Sequence, residues 1–172
     1  MIKKLEETGI QYGKKLINTK IRQQRKANVG LNTSKSDPTI NALGRVVGSL
    51  CILTAQKGNE ETLLSGAMVA SWVSQASFSP PGITIAVAKE RAVENLLHTG
   101  DSFALNILEQ NNHQSLLKQF LQAFKPGDNR FADLHIKFSP GNQPLLNEAL
   151  AWLEGRVNQR MECGDHWLIY AE

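Results

Sequence analysis

The chain has 172 residues, of which 41% are hydrophobic and 20% are charged, and this composition is typical of one folded domain rather than of a disordered chain. No apolar run approaches the roughly 20 residues that a membrane helix needs, and its two cysteines, Cys51 and Cys163, are too few for a disulfide framework or a cysteine-based zinc site. We therefore expect a cytoplasmic protein without a membrane span.

The net charge of +3 has its positive excess at the start of the chain. Residues 1–35 carry nine Lys and Arg against two Glu, whereas the remainder carries ten against fourteen Asp and Glu. We expect a helix over residues 2–17 and a polar linker over residues 18–36. A basic tail can bind nucleic acid, but the run KKLINTKIRQQRK has no aromatic side chains to stack on bases. The sequence therefore favours a solvated linker and no nucleic-acid partner.

The folded domain is predicted to begin at Asp37 and to be mainly β with inserted helices, an α+β pattern. Asp37 and Pro38 suit the start of a short helix that reaches about Val46. Strands are predicted over residues 49–56, 62–78, 83–88 and 103–108, with two more joined by a turn at residues 162–165. Helices over residues 92–99, ended by Gly100, and over residues 112–124 lie in the connections.

Short turns between these strands favour antiparallel pairing in a barrel or sandwich. The chain stops within the last predicted strand, and a closed sheet needs a further strand to remove its edge. We therefore expect a β-barrel that lacks C-terminal strands.

The segment SGAMVASWVSQASFSPPG, residues 65–82, is rich in small and hydroxyl side chains although its alternation predicts a strand. Small residues would let a flat ring approach the backbone, and Ser71, Ser74 and Gln75 could hydrogen-bond to a ligand. An edge strand facing water explains the same pattern, and the spacing leaves both readings open. Alternation places the residues on two faces, one with Val69, Ser71, Val73 and Gln75 and the other with Ala70, Trp72 and Ser74.

Two further features point to a ligand site, each with an ordinary surface residue as the alternative. Lys89 and Arg91 lie between a strand and a helix, and the free N–H groups of a helix start favour a phosphate. His166 follows a Gly-Asp turn at the start of the last strand, where a flavin or substrate contact is possible. The chain's four histidines do not have metal-ligand spacing, so we expect no metal site.

The order of these features resembles the flavin reductase-like family, which has the split-barrel FMN-binding fold. The resemblance covers residues 37–172 and rests on the following stretches in sequence: Ala70-Ser71, Ser74, Ser77, Pro80-Pro81, the FALNIL strand with Asn106, LAWLEGRV and the Gly164-Asp165-His166 turn. More narrowly, NALGRVVGSLCILTA and SWVSQASFSPPG are similar to the C-terminal flavin reductase domain of cyanobacterial flavodiiron proteins. The start, KKLEETGIQYGKKL, resembles the last helix of the flavodoxin-like domain that precedes it there.

The resemblance implies an FMN-binding NAD(P)H:flavin oxidoreductase domain that passes electrons toward a diiron oxygen-reducing core outside this chain. It implies that His166 lies near the flavin ring or the nicotinamide, without acting as an acid or base. It also implies a homo- or hetero-oligomer with flavodiiron-type domains. The cofactor-binding residues that it implies are Val69, Ala70, Ser71, Trp72, Ser74, Gln75 and Ala76 along the strand, with Lys89 and Arg91 at the phosphate.

Two departures from the family's pattern leave an alternative open. Family members often have Thr at the position of Val69 and small residues at those of Trp72 and Gln75. The expected loss of C-terminal strands also bears on whether the flavin is retained. The alternative is a non-catalytic barrel module that organises an oligomer and binds flavin weakly or not at all.

Overall fold

The computed structural model describes residues 38–43, 45–46, 48–59, 61–109, 113–122 and 129–172. The helix predicted over residues 2–17 and the linker predicted over residues 18–36 lie outside these ranges. The first described element, α1, spans Pro38–Leu43 and ends before the predicted limit at Val46. It belongs to a unit of residues 1–47, and all other elements belong to a second unit of residues 48–172.

Within the described part of the second unit, the strands dominate and run antiparallel. Two short helices interrupt them, a 3-10 helix over Ala92–Leu96 and α2 over Gln114–Phe120. The strands are β1 (Cys51–Lys57), β2 (Leu64–Ala70), β3 (Val73–Phe78), β4 (Pro81–Ala88), β5 (Ser102–Ile107), β6 (Ile136–Phe138), β7 (Pro144–Leu146), β8 (Ala151–Cys163) and β9 (His166–Ala171).

Seven strands form one sheet in the order β2-β1-β5-β8-β9-β4-β3. The two end strands, β2 and β3, follow each other in the chain and are joined by Ser71 and Trp72, so the sheet curves round on itself as a split barrel. The long strand β8 pairs with β5 through residues 151–156 and with β9 through residues 157–163, and so connects β2-β1-β5 with β9-β4-β3 in the strand order. A register shift between Val157 and Gln159 lets β8 bend between them. The predicted antiparallel β-barrel with inserted helices is confirmed.

The strand predicted over residues 62–78 is wrong as a single strand. Its ladder with β1 ends at the pair of Cys51 and Ala70, and from Val73 onward the chain pairs with β4 instead. Gly48 lies against this break, because a Cβ built there would be 2.1 Å from the carbonyl oxygen of Ser71. A second shift, between Gln75 and Ser77, interrupts β3. The two continuous faces predicted from alternation therefore do not exist across residues 69–75.

The helix predicted over residues 92–99 is a 3-10 helix of five residues. Val93 and Leu96 are both buried, and a spacing of three residues places them on one side of a 3-10 helix. Gly66 on β2 leaves room for Val93, whose Cβ would lie 3.1 Å from a Cβ at that glycine. The helix is therefore set by its contact with the sheet.

Two hydrophobic cores lie on opposite sides of β1. One fills the barrel and includes Cys51, Leu53, Ile85, Phe103, Leu105, Val157 and Ile169. The other lies under α2 and includes Ile52, Leu116, Phe120, Phe131 and Leu146. The last strand, β9, pairs with β8 on one side and β4 on the other, so in the described residues the sheet's edges are at β2 and β3. That C-terminal strands are missing stays a prediction.

A polar network attaches the β6–β7 hairpin to the sheet. The amide nitrogen of Asn106, a residue with no solvent exposure, lies 3.2 Å from the carbonyl oxygen of Ile52 and 3.1 Å from Oγ1 of Thr54. Oδ1 of Asn106 accepts a 2.8 Å hydrogen bond from the backbone N–H of Leu146, and Thr54 Oγ1 lies 2.5 Å from the carbonyl oxygen of Pro144. These bonds satisfy polar groups that would otherwise be buried without partners.

No helix in the described ranges is long and apolar enough to cross a membrane.

Candidate functional site

The joint of Ser71 and Trp72 brings a predicted ligand residue against the last strand. The backbone carbonyl of Trp72 accepts a 3.0 Å hydrogen bond from the N–H of Ala86 on β4. Trp72 is 51% exposed, and the ring centroid of its indole lies 4.9 Å from that of His166, with 37° between the planes. Two predicted site residues that are far apart in sequence therefore form a ring pair.

His166 is held in place by its neighbours. As the first residue of β9 it pairs with Ala88 of β4 and with Cys163 of β8. Its Nδ1 lies 2.7 Å from Oδ1 of Asp165. In the neutral imidazole this hydrogen bond places the proton on Nδ1 and leaves Nε2 as an acceptor. The same bond holds the pKa of the Asp165 carboxyl below its usual value.

Lys89 lies at the same end of the barrel, but its charge is already paired. Its backbone N–H donates a 3.0 Å hydrogen bond to the carbonyl oxygen of Asp165. Its ammonium group forms an ion pair with Glu162 and lies 5.3 Å from the ring centroid of Trp167. The hydrogen bond and the charge of Lys89 lower the pKa of Glu162. A phosphate at Lys89 would therefore compete with a carboxylate.

Arg91, by contrast, has a side chain whose charge is not paired in the described residues. It precedes the 3-10 helix as its N-terminal cap, and its side chain is exposed. Within the described part of the chain it has no hydrogen-bond or ion-pair partner through its side chain. The predicted support from a helix dipole is small, because the dipole sums over few peptide groups in so short a helix.

The other predicted residues divide into buried and exposed groups. Ala70 is 1% exposed in the barrel core, so a ligand could meet only its backbone atoms. Val69 is partly buried and packs against the core under α2. Ser71 is partly buried, while Ser74, Gln75 and Ala76 are exposed on β3. Among the described strands β3 pairs with β4 alone, so one backbone edge of β3 is open beside these side chains.

Sequence reasoning missed an ion pair that fixes the 3-10 helix to β8. Arg160 and Glu94 form an ion pair with side chains 11% and 13% exposed. Nη1 of Arg160 also lies 2.6 Å from Nδ1 of His98, and its Cζ lies 4.5 Å from the ring centroid of Trp167. The two partners lie on different elements distant in sequence, so no local pattern marks the pair.

We expect Lys89→Ala to raise the pKa of Glu162 toward that of an ordinary glutamate, because the substitution removes the hydrogen bond and the charge that lower it. With a lowered folded-state pKa, any stability from this pair is present above the unfolded pKa of Glu and is lost as pH falls through the folded one. The measurement is a carboxyl ¹³C NMR titration. Lys118→Ala, at an exposed lysine on α2, is the control, and an unchanged Glu162 pKa in Lys89→Ala would contradict the pairing.

The described residues contain no group of three or more His, Cys, Asp or Glu side chains placed to bind a metal. Cys163, at the end of β8, is exposed. The site's chemistry therefore comes from a ring pair, exposed polar side chains on β3 and one open guanidinium group.

The family model for the flavin reductase-like domain matches residues 43–172. The chain belongs to the flavin reductase-like domain family. Its curated relatives include two from Synechocystis sp., "Putative diflavin flavoprotein A 3", 53% identical over 99% of this chain, and "Diflavin flavoprotein A 1", 48% identical over 97%. The chain covers 28% and 27% of those relatives, less than a third of their length. The predicted family resemblance is confirmed.

Solved structures support the fold of this flavin reductase-like domain. The Streptomyces globisporus C-1027 NADH:FAD oxidoreductase SgcE6 superposes with a TM-score of 0.66 at 24% identity, covering 81% of this chain and 83% of that one. Flavin reductase HpaC complexed with NADP+ superposes with a TM-score of 0.62 at 22% identity, covering 78% and 81%. At these identities the likeness establishes the split barrel and nothing finer.

Proposed function

We propose that this domain binds FMN and passes electrons from NAD(P)H through the flavin. The observation that carries the proposal is the Trp72–His166 ring pair at the β2–β3 joint of a flavin reductase-like domain. The names of its structural neighbours, an NADH:FAD oxidoreductase and a flavin reductase with NADP+, support a nicotinamide donor.

The residues of the site fit FMN. The hydroxyl and amide groups of Ser71, Ser74 and Gln75 can hydrogen-bond to ring and ribityl oxygens, and the open edge of β3 adds backbone groups. Arg91 offers an unpaired guanidinium for one phosphate, with Lys89 as a second cation once Glu162 releases it. The small buried residues Gly66 and Ala67 precede this region on β2.

The protein's part in the reaction is to bind and orient, because the flavin supplies the hydride and electron chemistry when bound. The Asp165 hydrogen bond orients His166 and leaves Nε2 of the neutral ring as an acceptor toward a donor group of flavin or nicotinamide. No proton transfer by His166 is required, since water can supply the proton.

We also propose that electrons leave toward a flavodiiron oxygen-reducing core, and that the domain works in a homo- or hetero-oligomer with such domains. Two observations support this proposal. The relatives are named diflavin flavoproteins, and this chain matches less than a third of their length. The proposed compartment is the cytoplasm, and no nucleic acid takes part.

We expect a titration of the purified chain with FMN to saturate and to quench tryptophan fluorescence. The chain has three tryptophans, so Trp72→Phe should remove more of the quenching than Trp152→Phe, which changes a similarly exposed indole on β8. Adding NADPH or NADH without oxygen should then bleach the flavin absorbance. A folded chain that binds no FMN would instead support the non-catalytic assembly module.

A further inference from the structure

The Trp72–His166 pair joins a ring on a residue held within the sheet to a ring on an exposed residue between two strands. His166 is held by strands on both sides and by Asp165. Trp72 lies in the two-residue connection between β2 and β3, where its carbonyl accepts a hydrogen bond from Ala86 and the residue as a whole is 51% exposed. The indole can therefore leave the imidazole by side-chain rotation without breaking a strand ladder.

The imidazole face that Trp72 covers has the chemistry of a ring-binding surface. It is planar, oriented by Asp165, and carries an acceptor nitrogen at its edge when neutral. His166 is 23% exposed with the indole in contact, so departure of the indole would open the face to solvent. A planar heteroaromatic ring could pack against the imidazole there, as the indole does at 37° to its plane.

We propose that Trp72 occupies, against His166, the position that a planar heteroaromatic ligand ring takes up, so that the indole acts as a built-in competitor for the site. The ligand chemistry is that of an isoalloxazine or a nicotinamide ring, so the inference rests on the proposed function and deepens it. The indole must move away from His166 before the ligand ring can bind. The apparent affinity for the ligand is therefore lowered by a factor set by the free energy of the Trp72–His166 pair. A pair of this kind is worth about two- to tenfold in an equilibrium constant.

The test measures binding of three probes to the wild-type chain and to Trp72→Ala by NMR titration. The probes are FMN, oxidised nicotinamide mononucleotide, and ribose 5-phosphate as a control without a ring. We expect Trp72→Ala to bind one of the two ring probes about two- to tenfold more tightly, and to bind ribose 5-phosphate as the wild type does. The probe that gains identifies the ring that uses the position.

Two variants distinguish competition from a general disturbance of the barrel. Trp152→Ala should leave all three affinities unchanged. Adding His166→Ala to Trp72→Ala should abolish the gain, because the gain depends on the uncovered imidazole. In the free protein, Trp72→Ala but not Trp152→Ala should move the His166 ring protons downfield, since the ring current of the indole is removed.

The proposal is overturned if Trp72→Ala binds both ring probes with unchanged or weaker affinity, or if the His166 ring protons do not move. These outcomes differ from failure of the proposed function, in which the wild-type chain and all variants bind no FMN. In that case the nicotinamide titration and the His166 resonances still decide whether Trp72 covers a ring site.

Discussion

Asn106→Ala should destabilise the domain by about 3 kcal/mol, because a buried amide that bonds to three groups is removed. The substitution leaves the carbonyl of Ile52 and the N–H of Leu146 without these partners in a site from which solvent is excluded. It also leaves a cavity beside the β6–β7 hairpin. The measurement is urea unfolding, read as a lower midpoint at an unchanged slope.

Asn147→Ala provides the matched control, because Asn147 is an exposed asparagine just after β7. Its free energy of unfolding should change by no more than about 0.5 kcal/mol. A loss below about 1 kcal/mol in Asn106→Ala would mean that the hairpin is not attached through this amide. Amide hydrogen exchange should also show faster exchange at Leu146 in Asn106→Ala than in the control.

Arg91→Ala should weaken FMN binding by about ten- to a hundredfold, because a charge-assisted contact to the phosphate is lost. Riboflavin, which has the same ring and ribityl chain but no phosphate, should bind to Arg91→Ala and to the wild type equally. The comparison of the two flavins separates a phosphate contact from a change in the ring site. Arg91 is the sharper choice for this test, because Lys89 is paired with Glu162 in the structure.

Lys137→Ala removes an exposed positive charge from β6 and should leave both flavins' affinities unchanged. Affinity for FMN should also fall as salt concentration rises in the wild type, and less steeply in Arg91→Ala. Equal weakening of FMN and riboflavin by Arg91→Ala would place this residue at the ring or in the folding of its segment, and would contradict the phosphate role.

The proposed site contains a lysine, Lys89, whose positive charge is already paired with a carboxylate. The family resemblance assigns Lys89 to the phosphate, but in the structure its charge is shared with Glu162, and its position follows from a backbone bond to Asp165 and from Trp167. The type of a residue and its place in the sequence therefore do not show whether its charge is free to bind a phosphate. Here the deciding partner is Glu162 on β8, whereas Lys89 follows β4.

The sequence by itself determined the β-rich barrel and its family. The FALNIL segment has apolar residues on both faces of its strand, which predicts burial, and residues 103–106 are buried. The β8–β9 hairpin followed from two strand patterns around Gly164, which has a positive φ of 59°. Such signals depend on residues within a few positions of each other, so they can be read from the chain alone.

Only the tertiary structure decided the break at Ser71 and Trp72, the Trp72–His166 contact and the Arg160–Glu94 ion pair. The alternation of residues 62–78 predicts one strand. In the structure, the part up to Ala70 pairs with β1 and the part from Val73 onward pairs with β4. The hairpin of β6 and β7 was also missed, because three-residue strands carry too little periodicity and are held by Asn106 from another strand. These features depend on residues brought together from distant parts of the chain, and local pattern carries no information about such contacts.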